Sequence, residues 1–236
     1  MKKSTKIVFA IVIIIAVIGL AAGYVWEANV WKSIYYNIKV NQFVKANENV
    51  EKGQIVFVGD SITDYCDLEE FYPELKAYNR GISADTTVGL LDRMDESIFD
   101  LEPQLIVLLM GINDLLGDDQ RSPQEIAVNM NKILDEIQTK SPNTKIILQA
   151  PYPVSSKSGY GRVDNANGKV KELSALYANM AQEKGITYVD LYDTLLDQDT
   201  KEFNLDYSND GLHPNKKGYE VISTVLNPII KSVLAQ

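Results

Sequence analysis

Residues 54–63, QIVFVGDSIT, place a short apolar run directly before a glycine, an acid and a serine. The uninterrupted apolar residues of Gln54–Val58 are typical of a strand that is covered on both faces of a parallel sheet. Gly59 ends the run, and Ser61 follows where the chain is expected to turn into a helix. A serine at this place is a helix N-cap, part of a phosphate-binding turn, or a nucleophile, and this stretch alone leaves all three open.

Three further apolar runs resemble the first one and are separated by helical patterns, and Ala77–Asn79 is read as a short additional strand. The predicted strands are Ala77–Asn79, Leu105–Met110, Lys145–Gln149 and Ile186–Val189. Strands that alternate with helices predict an α/β fold, in which a doubly wound parallel sheet of about five strands is covered by helices on both faces. The working site of such a sheet lies at the carboxyl ends of its strands.

The helical segments between the strands carry apolar residues at helical spacing. Ser122–Glu125 combines a capping box with proline at the first helical position, which predicts a helix start. Three stripes follow the helical period: Ile126, Met130, Ile133, Leu134 and Ile137; Val170, Leu173, Leu176, Tyr177 and Met180; and Tyr219, Ile222, Leu226, Ile229, Ile230 and Val233. We interpret all three as core-facing, and Pro228 is expected to kink the last helix.

Polar clusters follow three of the predicted strands, at the point where each strand ends. They are Gly59–Ser61, Asn79–Gly81 and Gly111–Asp114. Because the carboxyl ends of parallel strands meet at one edge of a sheet, these clusters are expected to lie close together.

The single histidine of the chain, His213, is the candidate base for a serine nucleophile at Ser61. Asp210 precedes it by three residues in a turn-rich stretch, close enough for its carboxylate to accept the Nδ1 proton and leave Nε2 free. The alternative for His213 is a surface histidine in a polar turn.

Acyl transfer also needs hydrogen-bond donors for an oxyanion. The backbone N–H groups of Ser61 and Gly81 and the amide of Asn113 are candidates, although Gly81 and Asn113 are also ordinary turn residues.

Four sequence blocks, taken together, resemble the SGNH hydrolases, also called the GDSL esterase/lipase family. They are GDSIT (59–63), NRG (79–81), GIND (111–114) and DGLHP (210–214), and the resemblance extends from about Gln54 to the C-terminus. It implies a flavodoxin-like three-layer α/β/α sandwich without a cofactor or metal. It also implies a nucleophile at Ser61, oxyanion donors at Gly81 and Asn113, and an acid–base pair at Asp210 and His213. No G-x-S-x-G stretch is present, so the nucleophile-elbow hydrolases match less well.

The resemblance implies a serine ester hydrolase, and the expected substrate is a small-molecule or glycan ester. Removal of O-acetyl groups from carbohydrate, or cleavage of short-chain carboxylic esters, is the first expectation. Lysophospholipid or thioester cleavage, transfer of the acyl group to a cell-wall glycan, and a non-catalytic binding module are the alternatives. A histidine base must be neutral, so activity is expected to rise through about pH 6–7.

The N-terminus carries a membrane signal. Lysines precede an uncharged run at residues 7–25, which is about 28 Å long as a helix and matches the hydrocarbon thickness of a bilayer. We predict a cytoplasmic N-terminus at residues 1–6, a transmembrane signal-anchor at 7–25, a linker at 26–50 and an extracytoplasmic catalytic domain at 51–236. A cleaved signal peptide, which would make the protein secreted, and a buried core helix are the alternatives.

The charge of the chain argues against a nucleic-acid partner. Residues 1–50 hold six lysines and two glutamates, whereas residues 51–236 hold 17 basic and 30 acidic residues, a net charge of −13. An acidic domain repels phosphate backbones.

One cysteine and one histidine exclude an intrachain disulfide and a zinc site of the usual ligands. The sequence does not determine the oligomeric state.

Several residues near the blocks have weaker indications of a role. Cys66 is expected to pack as a small apolar residue rather than to react. Asp60, Asp64 and Asp114 are expected to form structural hydrogen bonds. Tyr65 and Tyr72, and Tyr152 with the loop Pro153–Arg162, are candidates for a substrate rim, with packing as the alternative.

Overall fold

The structure is a computed structural model, and it describes residues 30–117 and 120–236 of the chain. The strands are β1 Ile55–Gly59, β2 Ala77–Gly81, β3 Leu105–Leu109, β4 Lys145–Gln149 and β5 Thr187–Val189. All pairings are parallel, and the strand order is β2-β1-β3-β4-β5. This is the flavodoxin-like order, so the predicted five-stranded parallel sheet is confirmed.

Burial along the strands follows their place in the sheet. Every residue of β1 and β3 is buried, as in strands that are covered on both faces, whereas the edge strands β2 and β5 are partly exposed. The predicted strand limits differ from the observed ones by at most two residues.

Ten helical segments connect or flank the strands in the part of the chain that the structure describes. They are α1 (30–47), α2 Ser61–Asp64, α3 Leu68–Phe71, α4 Thr87–Asp92, α5 Met94–Ser97, α6 Ile112–Leu116, α7 Pro123–Lys140, α8 Ala166–Lys184, α9 Tyr192–Leu195 and α10 Lys216–Leu234. Short 3-10 turns lie at Phe99–Leu101 and Tyr160–Arg162.

Two apolar clusters cover the two faces of the sheet. Successive strand residues point to opposite faces. Accordingly Val56 and Val58 pack in the cluster that contains the buried stripes of α7 and α8. Ile55 and Phe57 pack in the second cluster with the buried face of α10. The chain therefore forms the predicted α/β/α sandwich, with helices on both sides of the parallel sheet.

The predicted start of α7 is confirmed in detail. Ser122 Oγ accepts a hydrogen bond from the Glu125 N–H at 3.3 Å, and the Glu125 carboxylate accepts one from the Ser122 N–H at 2.9 Å. This reciprocal pair satisfies donors that the first helical turn would otherwise leave unpaired. The last helix, α10, continues through Pro228 to Leu234.

The described residues divide into two units, with the boundary between Asn41 and Gln42. The C-terminal residues of α1 belong to the larger unit: Phe43 is buried beneath the Arg80 guanidinium, and Asn47 Oδ1 accepts a hydrogen bond from Arg80 at 2.8 Å. The larger unit begins at residue 42, and the start of the catalytic domain at residue 51 stays a prediction.

The predicted transmembrane segment at residues 7–25 lies outside the described residues. Among the helices of residues 30–117 and 120–236, none is both long and apolar enough to cross a membrane.

Candidate active site

Ser61 lies at the carboxyl end of β1, as the first residue of α2. Asp60 caps this helix, because its Oδ1 accepts a hydrogen bond from the Ile62 N–H at 3.0 Å. The serine hydroxyl therefore stands on a short rigid turn between a buried strand and a helix. Ser61 is buried apart from a small exposed fraction.

A continuous hydrogen-bonded chain joins Ser61, His213 and Asp210. Ser61 Oγ lies 2.9 Å from His213 Nε2, and His213 Nδ1 lies 2.6 Å from Asp210 Oδ2. With the Nδ1 proton donated to the carboxylate, Nε2 is free to accept the serine proton. The structure therefore brings together the three side chains that the sequence identified, across 152 positions of the chain.

Backbone and side-chain donors hold the Asp210 carboxylate in place. Its Oδ1 accepts hydrogen bonds from the N–H groups of Leu212 and His213, at 2.9 and 2.8 Å, and from Ser208 Oγ at 3.2 Å. Burial raises the pKa of Asp210, but hydrogen bonds from His213 and Leu212 outweigh this effect and lower it to about 2. The Asp210 carboxylate is thus ionised at neutral pH.

Two hydrogen bonds hold the Asn113 amide, one at its nitrogen and one at its oxygen. Asn113 lies in the first turn of α6, after β3; its Nδ2 donates to the Asp85 carbonyl at 2.9 Å, and its Oδ1 accepts from the Tyr160 hydroxyl at 2.6 Å. An amide nitrogen carries two hydrogens, so one N–H remains after the bond to Asp85.

The structure does not support the prediction for Gly81. Its N–H donates to Asn79 Oδ1 at 2.8 Å, so a side chain of the same turn already occupies this donor. A Cβ at position 81 would lie 2.2 Å from the Asp64 backbone nitrogen. The glycine is therefore required for the close approach of β2 to α2, and not as a free donor.

Ala84 lies in the turn that follows β2, three residues after Gly81. It has a φ of 62°, which is uncommon for a residue with a Cβ, and it is exposed. On one side the Ser83 N–H donates to Asp64 Oδ2, and on the other the Asp85 carbonyl accepts from Asn113. The Ala84 N–H thus belongs to a turn fixed to both α2 and Asn113. This left-handed residue is not recognisable from the sequence, because such positions are normally occupied by glycine or asparagine.

A buried arginine braces the strand ends beneath the site. The Arg93 guanidinium donates to Asp85 Oδ2 at 2.8 Å and to the carbonyl oxygens of Arg80 and Gly59 at 2.9 and 3.1 Å. Its side chain is fully buried. This pairing ties the turn that carries Asp85 to the ends of β1 and β2. Removing one partner of such a buried pair leaves an uncompensated charge.

Asp60 is a buried carboxyl group directly before the nucleophile. Its Oδ2 has no hydrogen-bond partner among the described residues. Burial, together with the negative charges of Asp85 and Asp114, raises its pKa to about 7, although the Ile62 N–H and Arg93 oppose the shift. The charged form of Asp60 is therefore disfavoured in the folded protein.

We expect the Asp60→Asn variant to keep its free energy of unfolding at pH values where that of the wild type falls because Asp60 ionises. The pKa of Asp60 is higher in the folded than in the unfolded protein. The contribution of its neutral form to the free energy of unfolding is therefore full below about pH 4 and is lost as the pH rises through about 7. The difference between the two pKa values of Asp60 corresponds to about 4 kcal/mol in the free energy of unfolding. Asparagine stays neutral and can still cap α2. The denaturant midpoint of the variant should therefore rise relative to that of the wild type between pH 4.5 and pH 8. The exposed Asp95→Asn variant is the control, and equal pH slopes for Asp60→Asn and wild type would contradict the expectation.

Two other carboxylates form the structural hydrogen bonds that the sequence suggested. Asp64 accepts the Ser83 N–H, and Asp114 accepts both the N–H and the hydroxyl of Thr87, at 2.8 and 2.6 Å. Asp114 thereby joins the start of α4 to α6. These bonds hold the loops around the site in register.

The tyrosines proposed for the rim separate into two groups. Tyr65 is 54% exposed, its ring centroid lies 5.1 Å from that of His213, and its hydroxyl lies 2.8 Å from Ser83 Oγ. Tyr72 packs against Phe57 in the core, and the buried Tyr152 donates to Gln149. Tyr65 is thus a rim residue, whereas Tyr72 and Tyr152 are core residues.

Cys66 is a partly buried thiol that packs beside the apolar cluster containing Tyr72. Burial raises its pKa to about 12, so the thiol is not ionised at neutral pH. Across residues 30–117 and 120–236, no group of three His, Cys, Asp or Glu side chains is arranged to hold a metal ion.

A family model supports the chemistry that the geometry suggests. Residues 57–221 match the model described as GDSL-like Lipase/Acylhydrolase family. This region includes all of the strands except the first two residues of β1, and all of the candidate site residues.

Individual relatives cover most of the chain. The platelet-activating factor acetylhydrolase IB subunit alpha2 of Rattus norvegicus is 28% identical over 201 residues, which cover 83% of each chain. An N-acylneuraminate cytidylyltransferase of Escherichia coli is 26% identical over 206 residues, but the chain spans only 45% of that longer protein. A solved structure from Streptococcus pneumonia, provisionally described as a platelet activating factor, is 26% identical, with a TM-score of 0.81 over 88% of this chain and 98% of the other.

Proposed function

The chain belongs to the GDSL-like lipase/acylhydrolase family and is a hydrolase acting on ester bonds, and from this premise we propose that it works through an acyl-enzyme on Ser61. The observation that carries the proposal is the unbroken path from Ser61 Oγ through the His213 ring to the Asp210 carboxylate, at 2.9 and 2.6 Å. A serine hydroxyl is a poor nucleophile unless a base of this kind takes its proton.

The proposed reaction has two halves. Ser61 Oγ attacks the ester carbonyl carbon while its proton passes to His213 Nε2, and the tetrahedral intermediate then expels the alcohol, which takes that proton from the imidazolium. A water molecule next attacks the acyl-enzyme, with His213 again accepting a proton. The carboxylic acid leaves, and the proton returns to Ser61. The Asp210 carboxylate stabilises the imidazolium in both halves.

Three donors are proposed for the oxyanion: the N–H groups of Ser61 and Ala84 and the second N–H of Asn113. The support for Ala84 is its exposed position in a turn that is hydrogen-bonded to both Asp64 and Asn113. Gly81 is left out because its N–H is already bonded to Asn79. Fixed donors of this kind stabilise the charge that develops on the carbonyl oxygen.

The substrate we propose is an O-acetyl ester of a carbohydrate or another short-chain carboxylic ester. The relative named an acetylhydrolase supports a small acyl group. The exposed ring of Tyr65 beside His213 supports an alcohol part that can stack on an aromatic surface, as a sugar ring can. Lipid esters or thioesters are the second choice, and an acyl acceptor other than water would make the protein a transferase.

We further propose that residues 7–25 anchor the protein in a membrane with the catalytic domain outside the cytoplasm. The support is the uncharged run with its preceding lysines. The exposed side chains of Trp31, Ile34 and Ile38, at helical spacing on α1, would suit an interface between water and lipid. A cleaved signal peptide would yield the same domain in secreted form.

Labelling with a fluorophosphonate tests the nucleophile directly. We expect the wild-type protein to be labelled in a single position and the Ser61→Ala variant not at all, because only a serine with an adjacent base reacts with such a probe. Ser141→Ala is the matched control: Ser141 lies before β4, at the opposite end of the sheet, so this variant should be labelled like wild type. A wild-type protein that stays unlabelled would refute the proposed mechanism.

A panel of acyl esters then tests the substrate. We expect acetyl esters to be cleaved with a higher kcat/KM than esters of eight or more carbons. The products should be analysed with and without an added oligosaccharide acceptor, because an acylated sugar in place of free acid would identify a transferase. A preference for long acyl chains would favour the lipid alternative.

A further inference from the structure

We propose that Tyr160 is a positioning residue that fixes the Asn113 amide in the orientation needed for oxyanion binding; this inference rests on the proposed function. The Tyr160 hydroxyl donates to Asn113 Oδ1 at 2.6 Å, from a 3-10 turn in the loop that follows β4. The sequence does not connect the two residues, because Tyr160 lies 47 positions after Asn113 and outside the four sequence blocks.

The hydrogen-bonding capacity of an amide explains why two partners are needed. A carbonyl oxygen only accepts, so the Asp85 carbonyl requires an N–H from Asn113 and thereby excludes the flipped amide. One contact still leaves the amide free to rotate about its remaining torsion. The Tyr160 hydroxyl holds the opposite end, at Oδ1, and so determines where the second N–H points. A donor to the amide oxygen also polarises the group and strengthens its N–H as a donor.

The two partners of Asn113 come from different parts of the site. Asp85 is fixed to the ends of β1 and β2 through Arg93. Tyr160 belongs to a loop whose Ser155 N–H donates to the Gly211 carbonyl at 2.8 Å, within the turn that carries Asp210 and His213. The loop at 155–161 therefore connects the acid–base turn to the oxyanion amide. Its fold is supported by the Ser158 hydroxyl, which accepts from the Gly161 N–H at 3.0 Å.

The Tyr160→Phe variant tests this role by removing one hydroxyl group. We expect kcat to fall by about 10-fold, the usual effect of one lost hydrogen bond, with KM changed less than about twofold. Loss of kcat alone is the signature of an interaction that acts in the transition state. Tyr188→Phe is the matched control, because its hydroxyl donates to the Ser174 carbonyl on α8 and not to a site residue. Its kcat should equal that of wild type.

A double-mutant cycle separates positioning from general support of the fold. Asn113→Ala alone should lower kcat by about 10²–10³-fold, and adding Tyr160→Phe should then cost nothing further, because the amide that the tyrosine orients is absent. An unchanged kcat in Tyr160→Phe would overturn the proposal, and so would losses that multiply in the double variant. Thermal unfolding of each variant checks that the fold is intact. Fluorophosphonate labelling of the wild-type protein reports independently on Ser61, so failure of the proposed function itself would be recognised separately.

Discussion

Replacing His213 by alanine is expected to lower kcat for ester hydrolysis by about 10⁵–10⁶-fold. The chain has no other histidine, and Nε2 lies 2.9 Å from the serine hydroxyl, so no other imidazole can take the proton. Labelling of Ser61 by a fluorophosphonate should be lost in the same variant. Initial rates with a chromogenic acetyl ester, measured at pH 8, provide the comparison with wild type.

Added imidazole provides a control for this variant. The His213 side chain is 26% exposed, so the space left by alanine opens to solvent and can admit a small base. We expect a partial, concentration-dependent recovery of the rate that is absent in Ser61→Ala. If His213→Ala kept more than about one hundredth of the wild-type kcat, a different group would have to be the base.

The second large effect is expected for Asp210→Asn, with a loss of about 10⁴-fold in kcat. The contacts of Asp210 decide how the new amide must sit. The N–H groups of Leu212 and His213 both donate to Oδ1, so the asparagine oxygen has to take that position. Its NH₂ group then faces His213 Nδ1 and donates to it. The imidazole is forced into the tautomer with its proton on Nε2, which cannot accept a proton from Ser61.

The control for this variant is Asp206→Asn, an exposed acid that pairs with Lys217 upstream of the same turn. It removes the same charge but leaves the imidazole untouched, so its kcat should stay within about twofold of wild type. The loss in Asp210→Asn should also be the same at pH 7 and pH 9, because a wrong tautomer is not corrected by a higher pH. A loss of less than about tenfold would show that water replaces the carboxylate at this half-exposed position.

The strands were predictable because the information that specifies them is local. Continuous apolar runs such as Leu105–Leu109 occur only where both faces of a strand are covered, and each run ends at a glycine or polar turn. The capping box at Ser122 likewise predicts the start of α7 to the residue. Such patterns are read within ten or so residues and need no knowledge of the rest of the chain.

The roles of Gly81, Ala84 and Tyr160 were not predictable in the same way. Gly81 has the residue type expected of an oxyanion donor, but its N–H already donates to the side chain of Asn79. Ala84 has the left-handed backbone with a side chain that normally avoids it. Tyr160 has no motif at all, and its part in the site follows only from the 2.6 Å contact with Asn113.

Exposure of the aromatic residues was also decided by packing. Tyr65 and Tyr72 are the same residue type, seven positions apart. Yet the exposed Tyr65 ring lies beside His213 at a tilt, and Tyr72 is buried against Phe57. Residue type does not separate them, because a tyrosine combines an apolar ring with a polar tip and suits either environment.

By itself, the sequence determined the α/β class, the parallel sheet, the family and the residues Ser61, Asp210, His213 and Asn113 as candidates for the site. The tertiary structure decided which donors remain free and which are already bonded, and which loops support the site. The physical reason is that an apolar period or a motif block is a property of neighbouring residues. A hydrogen bond to Asn113 from Tyr160, or to Asn79 from Gly81, depends on distances that exist only once the chain is folded.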